Sequence, residues 1–162
     1  MSAAPGRPQA SSHRSAQHEG SPVSHALMQV AVGLGCDRGT PLATLQQALR
    51  EALAQVAAVA SITLKADEPG LLALAHELGW RMAFYPPEVL AAVAVPNPSE
   101  TVRKYTGTPS VSEAAALMAG AALAGLAQAL PMQALLVEKY KCRGADGRNA
   151  TVSIARCDSF SL

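Results

Sequence analysis

The sequence predicts a single α/β domain, a mixed and mostly parallel sheet with helices on both faces. Three observations point there. Short apolar runs of strand length alternate with segments whose apolar residues recur at helical spacing. That alternation through the first half implies parallel strands joined by right-handed crossovers. The last two strand-like runs flank a turn rich in glycine and asparagine, which implies an antiparallel pair. The 162 residues are enough for one core, and 49% hydrophobic residues with only 4% aromatics mean that aliphatic and alanine contacts build it.

The ordered domain is expected over residues 26–157, between tails at 1–25 and 158–162. The first 25 residues hold too few large apolar side chains to offset the entropy of ordering. His13, His18 and His25 lie there, widely spaced and without the rigid frame that metal ligands need. Leu27–Leu34 reads as a buried strand, followed by a glycine-rich loop over Gly33–Gly39. Thr40 then caps a helix with Pro41 at its first position, and Leu42, Leu45, Leu49, Leu53 and Val56 form its apolar stripe.

A second strand is expected over Val59–Lys65. Asp67 caps the next helix, Glu68 favours its positive end, and Gly79 stops it. Leu71, Leu74, Ala75 and Leu78 form its buried stripe, while His76 falls on its surface. The third strand, Arg81–Tyr85, is halted by Pro86 and Pro87, and a short helix follows around Glu88–Ala92. Asn97-Pro98-Ser99-Glu100 has the form of a helix start, with Asn97 as cap. Ser110-Val111-Ser112-Glu113 repeats capping-box logic before an alanine-rich helix that Pro131 ends. Ala134–Tyr140 and Ala150–Ala155 form the closing pair, turning through Lys141–Asn149. The predicted order is β-α-β-α-β-α-α-α-β-β, with no internal repeat.

Composition excludes some functions. A net charge of +1 gives no broad attraction for nucleic acid, though a local charged pocket is compatible with it. The alanine-rich stretch over 114–130 is too short to span a bilayer, so no membrane role is expected. Residues 1–25 contain no apolar signal core. Cys36, Cys142 and Cys157 have no paired spacing, so reduced thiols and a cytoplasmic location are expected, with no protein-bound metal and no cofactor.

Ligands of open α/β sheets gather beyond the carboxyl ends of the strands. Gly33, Gly35 and Gly39 let backbone N–H groups approach an anion there, or simply form a tight turn. The spacing is neither the dinucleotide fingerprint nor a P-loop. Cys36 lies near a helix start beside Arg38, which lowers a thiol pKa. No histidine is placed to form a dyad with it, so a packed side chain is the competing reading. Lys65, Asp67 and Glu68 are either a charged ligand rim or a cap with a solvated lysine. Thr108 and Ser110 offer hydroxyls at a helix start, or serve only its cap. Lys139 and Lys141 share a strand face and either pair with ligand carboxylates or face water.

Taken together, five segments resemble the motifs of the CbiG C-terminal/CobE family of cobalamin (vitamin B12) biosynthesis. They are Val32–Gly39, Leu64–Leu71, Val95–Glu100, Gly107–Ala115, and an ending that contains Lys139, Lys141 and Asn149–Val152. Each motif alone is weak; their order over residues 28–156 carries the resemblance. It implies an α/β domain acting on the corrin ring. Full-length CbiG proteins open a lactone on a cobalt-precorrin and release acetaldehyde, and the likeness is to their C-terminal part alone. Stand-alone CobE proteins are associated with the aerobic route. Cys142–Arg148 is longer than the family's usual turn.

Three functions are therefore weighed. The first is binding of a precorrin or hydrogenobyrinic-acid-like intermediate, a flat polycarboxylate held by N–H and cationic donors from the glycine-rich loop, Arg38, Lys65, Lys139 and Lys141. The second is a precorrin-modifying, hydrolase-like enzyme, with Glu68 or Glu113 as general acid or base and Lys65 stabilising an oxyanion. The third is a module that docks onto another enzyme of the pathway. Binding ranks first because no nucleophile–base pair is evident.

Overall fold

Strand β1 (Val30–Cys36) runs through the middle of the sheet because alternate residues serve two different cores. Val32 and Leu34 point to one face and Ala31 to the other. The computed structural model describes residues 29–49 and 56–157. The two expected tails, their three histidines and Leu53 lie outside these residues.

Helix α1 (Leu42–Leu49) follows, then β2 (Val56–Ile62), α2 (Pro69–Leu78), β3 (Met82–Tyr85), α3 (Pro87–Ala91), α4 (Glu100–Thr106), α5 (Val111–Leu123), β4 (Leu135–Arg143) and β5 (Asn149–Arg156). The order of elements is the predicted one. Spatially the strands run β3-β2-β1-β5-β4. β1 pairs parallel with β2, and β2 with β3, while β5 lies antiparallel to both β1 and β4. β4 thus points the same way as β1, and only β5 opposes the other four strands.

The two faces are packed differently. On one, Leu45 and Leu49 of α1 and Leu71 and Leu74 of α2 cover Val32, Leu34, Val59 and Val152. On the other, α5 brings Ala114, Ala115, Ala116 and Leu117 against Ala31, Ala60 and Ala155. This second contact is close because both partners are small. A Cβ built at Gly33 would overlap the carbonyl oxygen of Ser112 and the amide nitrogen of Ala116. Gly33 is therefore a packing glycine.

Several local expectations are corrected. Gly33, Gly35 and Cys36 belong to β1, so the loop is only Asp37 to Pro41. Val56 opens β2 instead of continuing the helical stripe, and Thr63–Lys65 forms a 3₁₀ turn. Thr40 donates its hydroxyl to the carbonyls of Asp37 (2.8 Å) and Asn149 (3.2 Å) instead of capping α1. Glu68, not Asp67, stands at the start of α2, with Pro69 in the first position. Ser99 caps α4, accepting from the N–H of Val102 at 3.2 Å, which leaves Asn97 outside that helix. Ser110 precedes α5 without a side-chain cap bond. α5 ends at Leu123, and Gly125 takes the left-handed conformation (φ 75°) well before Pro131.

Candidate functional site

The carboxyl ends of β1, β2 and β4 lie at one end of the sheet, together with the start of β5, which runs the other way. A cleft of about 490 Å³ opens there. Its floor includes Gly35, Ile62 and Thr151, and α4 and the first turn of α5 form a wall. Of the residues singled out from the sequence, Gly35, Cys36, Arg38, Lys65, Lys139 and Lys141 line it. Gly33, Asp67, Glu68, Thr108, Ser110 and Glu113 do not.

Arg38 ties the two loops at the edge of this cleft together. Its guanidinium donates to Glu68 (3.2 Å), to Asp67 (3.0 Å) and to the carbonyl of Leu64 (2.6 Å). Glu68 is buried, and its second oxygen accepts the N–H of Gly39 at 3.0 Å. Glu68 is the partner that anchors the loop, because its enclosed carboxylate holds both the half-exposed Arg38 guanidinium and the Gly39 N–H. Asp67 is solvent-exposed, and water screens its attraction. The hydrogen bond from Arg38 still holds the Asp67 carboxyl below the usual carboxylate range. Arg148 and Asn149 close the same loop from β5. The Arg148 guanidinium donates to the Arg38 carbonyl at 2.8 Å, and Asn149 donates its backbone N–H to the Asp37 carboxylate at 2.8 Å.

A second carboxylate braces the opposite wall. Glu113, buried in α5, accepts the backbone N–H of Asn97 (3.2 Å) and its side-chain amide (2.6 Å). The carbonyl of Asn97 in turn accepts from the amine of Lys139 at 2.9 Å. Glu68 and Glu113 are thus both enclosed and engaged with donors, away from the cleft surface.

Lys65 donates to the carbonyl of Cys36. Among the described residues, no carboxylate lies within ion-pairing distance of Lys65, Lys139 or Lys141. The cleft therefore carries three lysine amines that no carboxylate among the described residues pairs with. Asp37 is the acidic residue among its lining, and it is engaged by Asn149.

Cys36 fits the packed-side-chain reading and not the lowered thiol that Arg38 alone would give. Burial pushes its thiol up to about 11, outweighing the lowering by Lys65, while Glu68 and Asp37 raise it further. That is the opposite of the lowering that activates a thiol. The three cysteines are free thiols. Thr108 and Ser110 are buried, and their hydroxyl oxygens have no hydrogen-bond partner. Sequence reasoning missed Asn97 as a brace, because its spacing from Ser99 and Glu100 imitates a cap. It also missed Thr101, Tyr105 and Thr106, which α4 brings to the cleft. Their only signal was that α4 lacks an apolar stripe.

A mixed α/β domain with lysine amines around a cleft at its strand ends offers the donors that an anionic ligand would use. The comparisons with known proteins narrow that class. The family described as cobalamin synthesis G C-terminus matches residues 30–155, and the chain belongs to it. It is 41% identical over 96 residues to a cobalt-precorrin-5A hydrolase of Priestia megaterium, an alignment covering 55% of this chain and 26% of that protein. It is 40% identical over 98 residues to Protein CobE of Sinorhizobium sp, covering 55% of this chain and 64% of that one. The aligned region thus spans less than two thirds of either relative. The crystal structure of CobE, a protein from the cobalamin biosynthetic pathway, superposes with a TM-score of 0.63 at 36% identity, covering 80% of this chain and 93% of that chain. The chain is a cobalamin-biosynthesis protein. Among the described residues, no helix is long and apolar enough to cross a membrane.

Proposed function

We propose that the cleft binds a polycarboxylated corrin precursor, a precorrin or hydrogenobyrinic-acid-like intermediate. The observation that carries this reading is the grouping of Lys65, Lys139 and Lys141 around one cleft with no carboxylate in pairing distance among the described residues. An ammonium group held by backbone carbonyls keeps its full charge for a ligand acid. Half-buried Val102 adds apolar surface for the edge of the ring. A hydrolytic role has less support, because Glu68 and Glu113 both point into protein hydrogen bonds and neither lines the cleft. Binding also agrees with the names of similar proteins, a cobalt-precorrin-5A hydrolase and a CobE of the cobalamin biosynthetic pathway.

The test is an anaerobic titration of the protein with precorrin intermediates and hydrogenobyrinic acid, followed by visible absorption, with the recovered pigment weighed by mass spectrometry. Saturable spectral change at unchanged mass supports binding. Conversion to a new mass would replace it with catalysis. No response to any of these ligands would overturn it and leave docking onto another pathway enzyme as the reading to pursue.

A further inference from the structure

Helix α4 is unlike the other helices of this chain. Each of the others buries at least one residue, whereas α4 buries none. Half-buried Val102 rests against the core, and the helix is otherwise fixed at its two ends. At its base the N–H of Ser99 donates to the carbonyl of Pro109 at 2.9 Å, and Asn97 just before it is held by Glu113. At its far end Gly107 turns the chain in the left-handed conformation (φ 84°). The helix is thus a lightly packed wall held at both ends, with one side lining the cleft.

That side carries Tyr105. It lines the cleft yet is 75% exposed, the most exposed of the large hydrophobic and aromatic residues among those described. It packs into no core cluster, and it lines the same cleft as Lys65, Lys139 and Lys141, which no described carboxylate pairs with. An aromatic ring beside cationic donors suits a ligand with a flat conjugated face and an acidic rim, since stacking and charge pairing act on different parts of it.

We propose that Tyr105 is a ligand-contacting residue that stacks on the tetrapyrrole face while the lysines hold its carboxylates. This rests on the corrin-precursor reading of the cleft and adds to it the residue that distinguishes a flat macrocycle from any other polycarboxylate. Because the side chain is exposed, its replacement leaves the packing intact.

The experiment measures hydrogenobyrinic acid affinity for the wild-type chain, Tyr105→Phe and Tyr105→Ala, with citrate, a ring-free tricarboxylate, as competitor. Circular dichroism confirms that each variant is folded. Tyr105→Phe is expected to bind within about twofold of wild type and Tyr105→Ala roughly five- to tenfold more weakly, the loss of one stacked aromatic contact. Citrate competition is expected to be unchanged. Equal affinity of Tyr105→Ala and wild type would overturn the stacking role while leaving the cleft reading in place. An equal loss for citrate would also overturn it, by showing that the residue acts through the amines. No binding of hydrogenobyrinic acid to wild type would remove the cleft reading and the stacking role together.

Discussion

Glu113, in the first turn of α5, grips Asn97 at two points, accepting its backbone N–H at 3.2 Å and its side-chain amide at 2.6 Å. Because the Asn97 carbonyl holds the amine of Lys139 at 2.9 Å, a buried carboxylate sets the position of a cleft lysine through one intermediate residue. The side-chain amide of Asn97 also reaches Glu138 at 2.9 Å, which ties the same segment to β4.

Glu113→Ala therefore has a double consequence. It leaves two donors of Asn97 without their acceptor, a cost of about 2 kcal/mol. It also releases Lys139. The expected result is a lower urea midpoint together with weaker hydrogenobyrinic acid binding under conditions where the variant remains folded. Unchanged stability would show that water replaces the carboxylate without cost.

Lys65→Ala and Lys139→Ala test the charge argument directly. Each is expected to weaken binding of hydrogenobyrinic acid about tenfold, one charge-assisted hydrogen bond, with the fold intact. Raising ionic strength should weaken wild type more than either variant, since the variant has less charge left to screen. Calorimetric titration at two salt concentrations reads both effects, and unchanged affinity in a folded variant would remove that lysine from the site.

Gly33→Ala tests the contact between α5 and β1. The added methyl meets backbone atoms of Ser112 and Ala116, which have no rotamer by which to retreat. A loss of about 3 kcal/mol is expected in denaturant unfolding. Gly35→Ala should be milder, because a Cβ there meets ordinary contacts with Val111 (3.6 Å) and Thr151 (3.8 Å). Equal losses at the two positions would contradict the close packing of the helix.

Cys36 gives a pH prediction. Its thiol is raised from 9.0 to about 11, mainly by burial. The native state thus keeps a proton that the unfolded chain releases, so this contribution to stability is present below pH 9 and is lost as pH rises from 9 through 11. At pH 8 the native thiolate fraction falls about a hundredfold below that of the unfolded chain, and alkylation by iodoacetamide should slow accordingly. The Cys36→Ser variant identifies which part of the labelling belongs to this residue. Rapid native labelling of Cys36 would contradict the raised thiol.

Periodicity was enough to read the order of ten elements, the antiparallel closing pair and the end of the sheet where the cleft lies. Those features follow from spacings of two and of three to four residues, which are local properties of a chain. Several of the cleft residues were legible as well. Arg38 and Lys65 sit just after strands, and Lys139 and Lys141 alternate along one. The destinations of Asn97, Glu68 and Glu113 were not legible. Each fits a local capping role, and a local pattern contains no term for a competing partner elsewhere in the chain. Packing supplied those partners: α5 lies against β1 because Gly33 admits it, and this carries Glu113 to Asn97. Folding likewise sets Arg38 beside Glu68, across two loops that only the parallel pairing of β1 with β2 makes neighbours. A buried carboxylate takes the donors that tertiary structure places beside it, because leaving it unpaired away from water costs more than forgoing an exposed helix cap.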